Sequence, residues 1–313
     1  MKKLKIRMKA GQRYKKVTRG LHNSGFRGEI RLFEEMKGRT SIKIGGPADI
    51  FIIPASGNDL KKLLEYLSQQ NIPYHILGRG TNILVSDQGV RGLVIQVGRA
   101  SAEITFNGNQ VMAEAGVALA RLARLAGERG LSGLEFGAGI PGTVGGAVIM
   151  NAGCQGEDIS CIIKRVRTFH PDAGVKDWAP EDCRFGYRSS RFRKDGGIVL
   201  EAEFELRRDR PLLIKKRMDD ILARRKAVLP LEYPSAGSIF KNPPGDFAGR
   251  LIDAVGLKGK RAGGAQISEK HANVIINLGS ARATEVEELI ALAREKVKEM
   301  FGVELELEIE IWS

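Results

Sequence analysis

The stretch "GAGIPGTVGGAVIMNAG", residues 137–153, carries six glycines in seventeen positions. Gly137, Gly139 and Gly142 stand in G-x-G-x-x-G spacing, which at a first strand–helix turn holds the pyrophosphate of a dinucleotide. Its place in the chain speaks against that element: the match lies mid-chain, after a helical segment, and the run continues through "TVGGAVIMNAGC". Pro141 is placed to open a helix, where its missing N–H costs little. A glycine run of this length lets backbone approach a large ligand and presents several N–H donors to phosphate. On its own the stretch fits a tight structural turn at least as well as a dinucleotide loop.

Two more glycine clusters change the balance. "LGRGTNILVSD" (77–87) sets Gly78, Gly80 and Asn82 directly after a strand, and "KIGGPAD" (43–49) precedes the first strongly apolar strand. Three such turns in one half of the chain can converge on a single dinucleotide, which one isolated turn would not justify.

The 313 residues allow two or three domains, and no apolar run approaches the eighteen residues of a membrane span. The opening "MKKLKIRMKAGQRYKKVTRG" has no apolar core and no cleavage-site pattern, so it does not read as a secretory signal. Cys154, Cys161 and Cys183 form no C-x-x-C pair; a disulfide framework and a thiolate metal site are not expected, no other cluster demands a metal, and a reducing cytoplasm fits best. The net charge is +13, but nine Lys or Arg fall within residues 1–20, leaving +4 for the rest. No nucleic-acid-reading module follows that stretch. It reads as a basic extension dispensable for chemistry.

The chain alternates strand and helix at first. "IFII" (50–53), "YHILG" and "LVIQV" read as strands around an amphipathic helix at 58–70 with Asn58 as its cap. A hairpin is expected over 101–113 with its turn at Asn107-Gly108, then a helix over 118–130 ending at Gly130. "IIKRVRTFH" and "GIVLEAEFEL" are further strands, and a basic helix at 211–227 links to a last domain. There, Thr284 and Glu287 have capping-box spacing before a helix over 285–301. The ending "VELELEIEI" (303–311) alternates strictly, as one strand with Glu304, Glu306, Glu308 and Glu310 on a single face. The class is α+β in three parts.

Taken together, "TSIKIGGPAD", "LGRGTNILVSD", "GAGIPGTVGGAVIMNAG", "FGYRSSRF", "AGSIFKNP", "AGGAQISEKHANVIIN" and "VELELEIEI" resemble, in kind and in order, the UDP-N-acetylenolpyruvoylglucosamine reductases, flavoenzymes of peptidoglycan precursor synthesis. The resemblance runs from about residue 33 to 312. It implies an FAD-binding fold of the vanillyl-alcohol-oxidase type in two subdomains, 33–98 and 99–208, after a basic extension at 1–32, with an α+β substrate-binding domain at 209–313. The chain departs from the family pattern at Thr81, at Cys154 and Gln155, and at its ending. The third domain is short, as in the compact subclass.

The resemblance also implies the chemistry. NADPH reduces non-covalent FAD, and the flavin hydride passes to the enolpyruvyl ether of UDP-N-acetylglucosamine. Gly46, Gly78, Arg79, Gly80, Thr81 and Asn82 are implied on the FAD, with Gly137, Ala138, Ile140, Pro141, Gly142, Thr143, Gly145, Gly146 and Asn151. Arg188 is implied as the electrostatic partner of the substrate carboxylate, Glu308 as its acidic neighbour and Ser238 as the proton donor. Tyr187, Lys241 and Asn242 are implied as substrate contacts. Without the resemblance, Arg188 reads equally as part of an aromatic–basic surface strand, Ser238 as a turn serine and Glu308 as one more solvated position. Gly263, Gly264 and Gln266 mark a turn on the substrate side, while Lys270 and His271 read as ligands or structural groups alike. His75 lies outside the glycine turns, and no covalent flavin link is implied.

Overall fold

The computed structural model describes residues 17–98 and 102–313. The apolar "IFII" run lies in strand Pro47–Ile53, whose central residues are buried, as a strand covered on both faces must be. Its sheet runs in the order Glu29–Glu35, Pro47–Ile53, Val90–Gln96, Tyr74–Leu77, with only the first pairing antiparallel. Helix Gly57–Gln69 covers one face through Leu60, Leu63, Leu64 and Leu67, the i, i+3, i+4, i+7 stripe of an amphipathic helix. Its cap is Ser56, whose Oγ accepts from the Asp59 amide at 3.1 Å. Asn58, expected in that role, already lies inside the first turn. Asp59 turns back to accept from the amides of Arg27 at 2.9 Å and Ala55 at 2.8 Å.

Residues 17–32 are built into this unit. Val17, Leu21 and Phe26 are buried in its core, and strand Glu29–Glu35 pairs along Pro47–Ile53. The more basic residues 1–16 lie outside the described chain.

The second subdomain is an antiparallel five-stranded sheet in the order Gly174–Trp178, Ile163–His170, Ile198–Glu205, Gln110–Glu114, Ile104–Asn107. The expected hairpin is present from residue 104, but its two loop residues are Gly108 and Asn109, one position on, because Asn107 still pairs with Gln110; Gly108 takes the positive φ of +62°. Helix Leu119–Glu128 stops before Gly130, at φ +67°. Ile50, Leu64 and Ile95 share one apolar core with Val111, Leu122, Phe136, Val166 and Phe204, so the two subdomains are packed as one body. Helix Pro211–Val228 joins the same core through Ile214 and Met218, and its Arg217 pairs with Glu135 at 2.8 Å and Asp209 at 2.6 Å.

The third domain is a four-stranded antiparallel sheet, Ser235–Ser238, Val274–Asn277, Ala265–Ile267, Arg261–Ala262. Leu251 and Ile252 of helix Ala248–Ala254 share its core with Val286, Leu289 and Ile290 of helix Ala283–Phe301. Ile42, Ile44 and Leu84 of the first domain enter that core as well. The long helix does not start with the Thr284/Glu287 box. Its first amides are capped from the first domain: Asp87 accepts from the amides of Ala283 at 2.8 Å and Thr284 at 3.2 Å, and from the Thr284 hydroxyl at 3.2 Å.

The ending is not one strand. Leu307 forms a single bridge to Phe240, the chain bends at 308–309, and only Glu310–Trp312 is a strand, parallel to Ile83–Val85 of the first domain. Leu305, Ile309 and Trp312 are buried while Ile311 is 40% exposed, so the alternation changes phase where the chain changes partners. A period of two tells which face is apolar, not which sheet supplies the hydrogen bonds.

The Asp87 cap yields a stability test. Asp87→Ala leaves the opening amides of helix Ala283–Phe301 without their acceptor and is expected to cost about 1 kcal/mol, whereas Glu287→Ala should stay within about 0.5 kcal/mol. Urea unfolding followed by circular dichroism measures both. Equal midpoints for the two variants would contradict the cap.

Candidate active site at the domain junction

The glycine turns meet, but not all their glycines are there for a ligand. At Gly80, φ +63°, a Cβ would stand 2.2 Å from the Arg39 carbonyl oxygen, and at Gly46 it would stand 2.3 Å from that of Asp87. Both positions let backbone pass backbone. Gly78 faces Thr143, whose Oγ1 would be 2.8 Å from an added Cβ, and Gly142 faces the Thr81 hydroxyl at 3.9 Å. The loops 78–82 and 137–146 therefore lie against each other. Thr143 caps helix Val144–Met150 by accepting from the Gly146 amide at 3.3 Å. Pro141, expected in the first helical turn, lies before that cap, since Thr143 has extended backbone and must precede the helix.

Between the two sheets is a cavity of about 250 Å³, lined by Tyr74, Ile76, Gly78, Val97 and Ala115 together with Thr143, Gly145, Gly146, Ile149, Ile198 and Val199. Its walls are aliphatic and aromatic, with glycine backbone at Gly78, Gly145 and Gly146, and Arg193 and Glu310 bring charge to it. Apolar walls with a few convergent polar groups suit an organic ring system, so the residues present fit the flavin end of an FAD, while about 250 Å³ is too small for the whole dinucleotide. Of the other expected contacts, Arg79 and Pro141 are exposed, while Gly137 is buried and Ala138 and Ile140 half-buried.

Arg188 sits in the turn 186–189, closed by backbone bonds in both directions between Gly186 and Ser189 at 3.0 and 3.1 Å. Its φ of +52° is one that non-glycine residues adopt at a cost of roughly 1–2 kcal/mol. The guanidinium donates from Nε to Glu308 Oε1 at 3.1 Å and from Nη2 to the Gly153 carbonyl at 2.9 Å. Burial pushes the Glu308 carboxyl above the usual range, and the neighbouring Arg188 charge offsets only part of that. Ser238 ends strand Ser235–Ser238, and its neighbour Ile239 accepts from the Glu308 amide at 2.8 Å. Asn82 donates from Nδ2 to the Glu308 carbonyl at 3.0 Å. One expected cofactor residue thus also holds the bend that carries the carboxylate.

A second, larger cavity of about 520 Å³ is lined by Tyr187, Lys241, Asn242, Pro243, Pro244, Glu304 and Glu306; Arg188, Ser238 and Glu308 line neither this cavity nor the one between the sheets. The larger cavity gathers the three expected substrate residues. The Asn242 amide donates to the Tyr187 hydroxyl at 3.3 Å, and the Asn242 Oδ1 is taken by the Ala248 amide at 3.1 Å. Lys241 pairs with Glu306 at 3.1 Å.

Other residues fall into place around these cavities. Asn151 is 3% exposed, and its carboxamide bonds only within the protein. Gln266 donates to the Gly259 carbonyl at 3.0 Å, and Gly264 donates to Glu285 at 3.0 Å; neither, nor Gly263, lines either of these two cavities. Lys270 donates to the Lys226 carbonyl at 2.7 Å, tying the third domain to the end of helix Pro211–Val228. His271 Nδ1 accepts from the Asn273 amide at 3.3 Å, and His75 stacks on Trp312 at 4.8 Å. Sequence reasoning missed Arg193, which pairs with Glu310 at 3.6 Å and donates to the Arg188 carbonyl at 3.4 Å. It also missed Arg225, whose Cδ lies 2.3 Å from where a Gly139 Cβ would be. The spacing of "FGYRSSRFR" draws the eye to Arg188 alone, and Arg225 is one of many cations on a basic helix. Among the described residues no helix is long and apolar enough to cross a membrane.

Comparison with known proteins agrees with this layout. Residues 229–312 match the profile of the UDP-N-acetylenolpyruvoylglucosamine reductase C-terminal domain, and residues 48–176 match that of an FAD binding domain. The chain is 45% identical over 282 residues to the UDP-N-acetylenolpyruvoylglucosamine reductase of Syntrophomonas wolfei, covering 90% of this chain and 94% of that one. It is 45% identical over 285 residues to reductase 2 of that name from Symbiobacterium thermophilum, covering 91% and 92%. The crystal structure of UDP-N-acetylenolpyruvylglucosamine reductase from Thermus caldophilus superposes with a TM-score of 0.78 at 39% identity, covering 92% of this chain and 99% of that one.

The raised Glu308 carboxyl has a sign that can be checked. A group whose folded affinity for protons exceeds its unfolded one supports the fold at low pH and loses that support as pH rises through the folded pKa. Glu308→Gln removes this dependence. Relative to the parent, the variant is expected to gain stability as pH rises from about 4 to 7, by urea unfolding across that range. A relative stability that falls with pH would mean that the Arg188 pairing outweighs the desolvation.

Proposed function

The chain belongs to the UDP-N-acetylenolpyruvoylglucosamine reductase family, with its FAD-binding fold and C-terminal α+β domain, and from that premise we propose that it reduces UDP-N-acetyl-3-O-(1-carboxyvinyl)-glucosamine to UDP-N-acetylmuramate at the expense of NADPH. The observation that carries this reading is the Arg188–Glu308 pair, 3.1 Å apart, which joins the turn next to Tyr187 of one cavity to the bend two residues before Glu310 of the other. Bound FAD supplies the redox chemistry, taking hydride from NADPH and giving it to the methylene carbon of the enolpyruvyl ether.

The chain's own residues handle charge and proton. Addition of hydride to the methylene carbon puts negative charge on the neighbouring carbon and its carboxylate. Arg188 is the planar cation that meets that carboxylate, and its fork binds two oxygens in one plane. Glu308 restrains the guanidinium by accepting from its Nε, so the cation is held in place before the substrate carboxylate arrives. Ser238, on the strand bonded to the Glu308 bend, delivers a proton to the carbon that bears the ether oxygen. A serine hydroxyl is a weak acid, but adequate against a carbanion-like centre held next to it. Tyr187, Lys241 and Asn242 hold the UDP-sugar in the larger cavity, and the aliphatic and aromatic walls of the smaller one would hold the flavin ring away from water.

Ser238→Ala separates the half-reactions. Flavin reduction by NADPH should proceed at nearly the parental rate, because it needs no proton from this side chain. Reoxidation of the reduced flavin by the UDP-enolpyruvyl sugar should slow by roughly 10² or more. Stopped-flow absorbance follows the bleaching and the recolouring separately. A variant that recolours and forms product as fast as the parent would remove Ser238 from the role.

A further inference from the structure

Asn151 lies in the glycine-rich cofactor stretch, yet its side chain points its hydrogen bonds elsewhere. It is 3% exposed. Nδ2 donates to the Gly186 carbonyl at 3.1 Å and to Asp158 Oδ2 at 3.0 Å, while Oδ1 accepts from the Ser160 amide at 3.0 Å. Both N–H donors of the carboxamide are thereby used inside the protein. Gly186 opens the turn that carries Arg188 at its strained φ of +52°. Asp158 pairs across a two-stranded ribbon with Gly153, and Gly153 accepts from Arg188 Nη2 at 2.9 Å. Ser190, just past the turn, donates to the Ile149 carbonyl at 2.8 Å. The backbone and the guanidinium of Arg188 are both fixed against residues 149–160 by three bonds, of which the Asn151 carboxamide supplies the one that reaches the Gly186 carbonyl at the start of the turn.

There is a plainer role. Asn151 ends helix Val144–Met150 in the left-handed conformation, φ +42° and ψ +57°, a position that glycine or asparagine serves without any side-chain bond. That role does not use the carboxamide, and the partly buried Asp158–Asn151–Gly186 chain of bonds does.

We propose that Asn151 is a positioning residue for Arg188: its bond to the Gly186 carbonyl sets where the guanidinium stands relative to Glu308, and so serves the step in which substrate is reduced rather than the binding of the cofactor. The inference rests on the reading of Arg188 as the partner of the substrate carboxylate. A strained turn released from its anchor displaces the guanidinium, and misplacement by about 1 Å can cost on the order of 10² in rate.

Two variants test it in the FAD-loaded enzyme. Asn151→Gly keeps the left-handed helix end and removes the carboxamide. The exchange pair Asn151→Asp with Asp158→Asn restores a buried amide–carboxylate bond between positions 151 and 158 but offers the Gly186 carbonyl no donor. FAD affinity by fluorescence titration and flavin reduction by NADPH should stay within about threefold of the parent in both. Flavin reoxidation by the UDP-enolpyruvyl sugar at saturation should slow by roughly 10- to 100-fold in both, while the exchange pair unfolds at a higher midpoint than Asn151→Asp alone. Parental reoxidation in either variant, or equal slowing of both half-reactions, overturns the proposal. Arg188→Ala is the control: if it reoxidises at the parental rate, the reading of Arg188 itself fails. If it is slow while Asn151→Gly is not, only the inference fails.

Discussion

Glu308 is held by all three parts of the molecule at once. Its amide donates to Ile239 of the third domain, its carbonyl accepts from Asn82 of the first subdomain, and its carboxylate accepts from Arg188 of the second. The chain bends there because its partners change: Glu306 is still bonded to Lys241, and Glu310 already to Asn82. Nothing within the local sequence 303–312 could satisfy these backbone groups, and a buried backbone group without a partner is costly. The last residues therefore act as a splint whose geometry depends on the docking of the third domain.

That docking rests on apolar contact first. Ile42, Ile44 and Leu84 are buried in the core of the third domain rather than in that of their own. Polar ties then select one orientation: Asn277 Nδ2 to the Ile42 carbonyl at 2.9 Å, the Ser41 hydroxyl to the Ser235 carbonyl at 2.7 Å, and Asp87 on the first amides of helix Ala283–Phe301. Area burial is non-directional, whereas these bonds are satisfied in one arrangement. Only in that arrangement does a half-buried carboxylate find Arg188, and a carboxylate withdrawn from water requires such a partner or a proton.

The glycine-rich stretches show two physical uses that look alike in sequence. Gly46 and Gly80 are required because another backbone passes where a Cβ would be, and Gly145 because it packs against Ala115. Gly146 meets no such backbone and lines the cavity between the sheets, as Gly145 also does. Asn151, in the same run, is a buried structural cross-link. Counting glycines finds the region where loops crowd together but does not separate crowding by protein from crowding by ligand.

Much of the architecture was legible before any coordinates. The apolar stripe at 60, 63, 64 and 67, the buried run at 50–53 and the order of the glycine motifs depend on short periods and local backbone needs, which sequence displays directly. What sequence alone misplaced were the groups whose partners are distant. The opening amides of the helix at 283 are taken by a carboxylate 196 positions away, and the local carboxylate that reaches back to the Arg282 amide is Glu285 rather than Glu287. Four glutamates alternate identically from 304 to 310, yet Glu306 is exposed at 76% of its side chain and Glu308 at 17%. The difference is made by Arg188, 120 residues back. The sequence by itself determined which segments form elements and which families of residues belong together, because those follow from local sterics and burial. The tertiary structure alone decided which charge meets which, because that depends on how three parts of the chain with shared cores come to rest against one another.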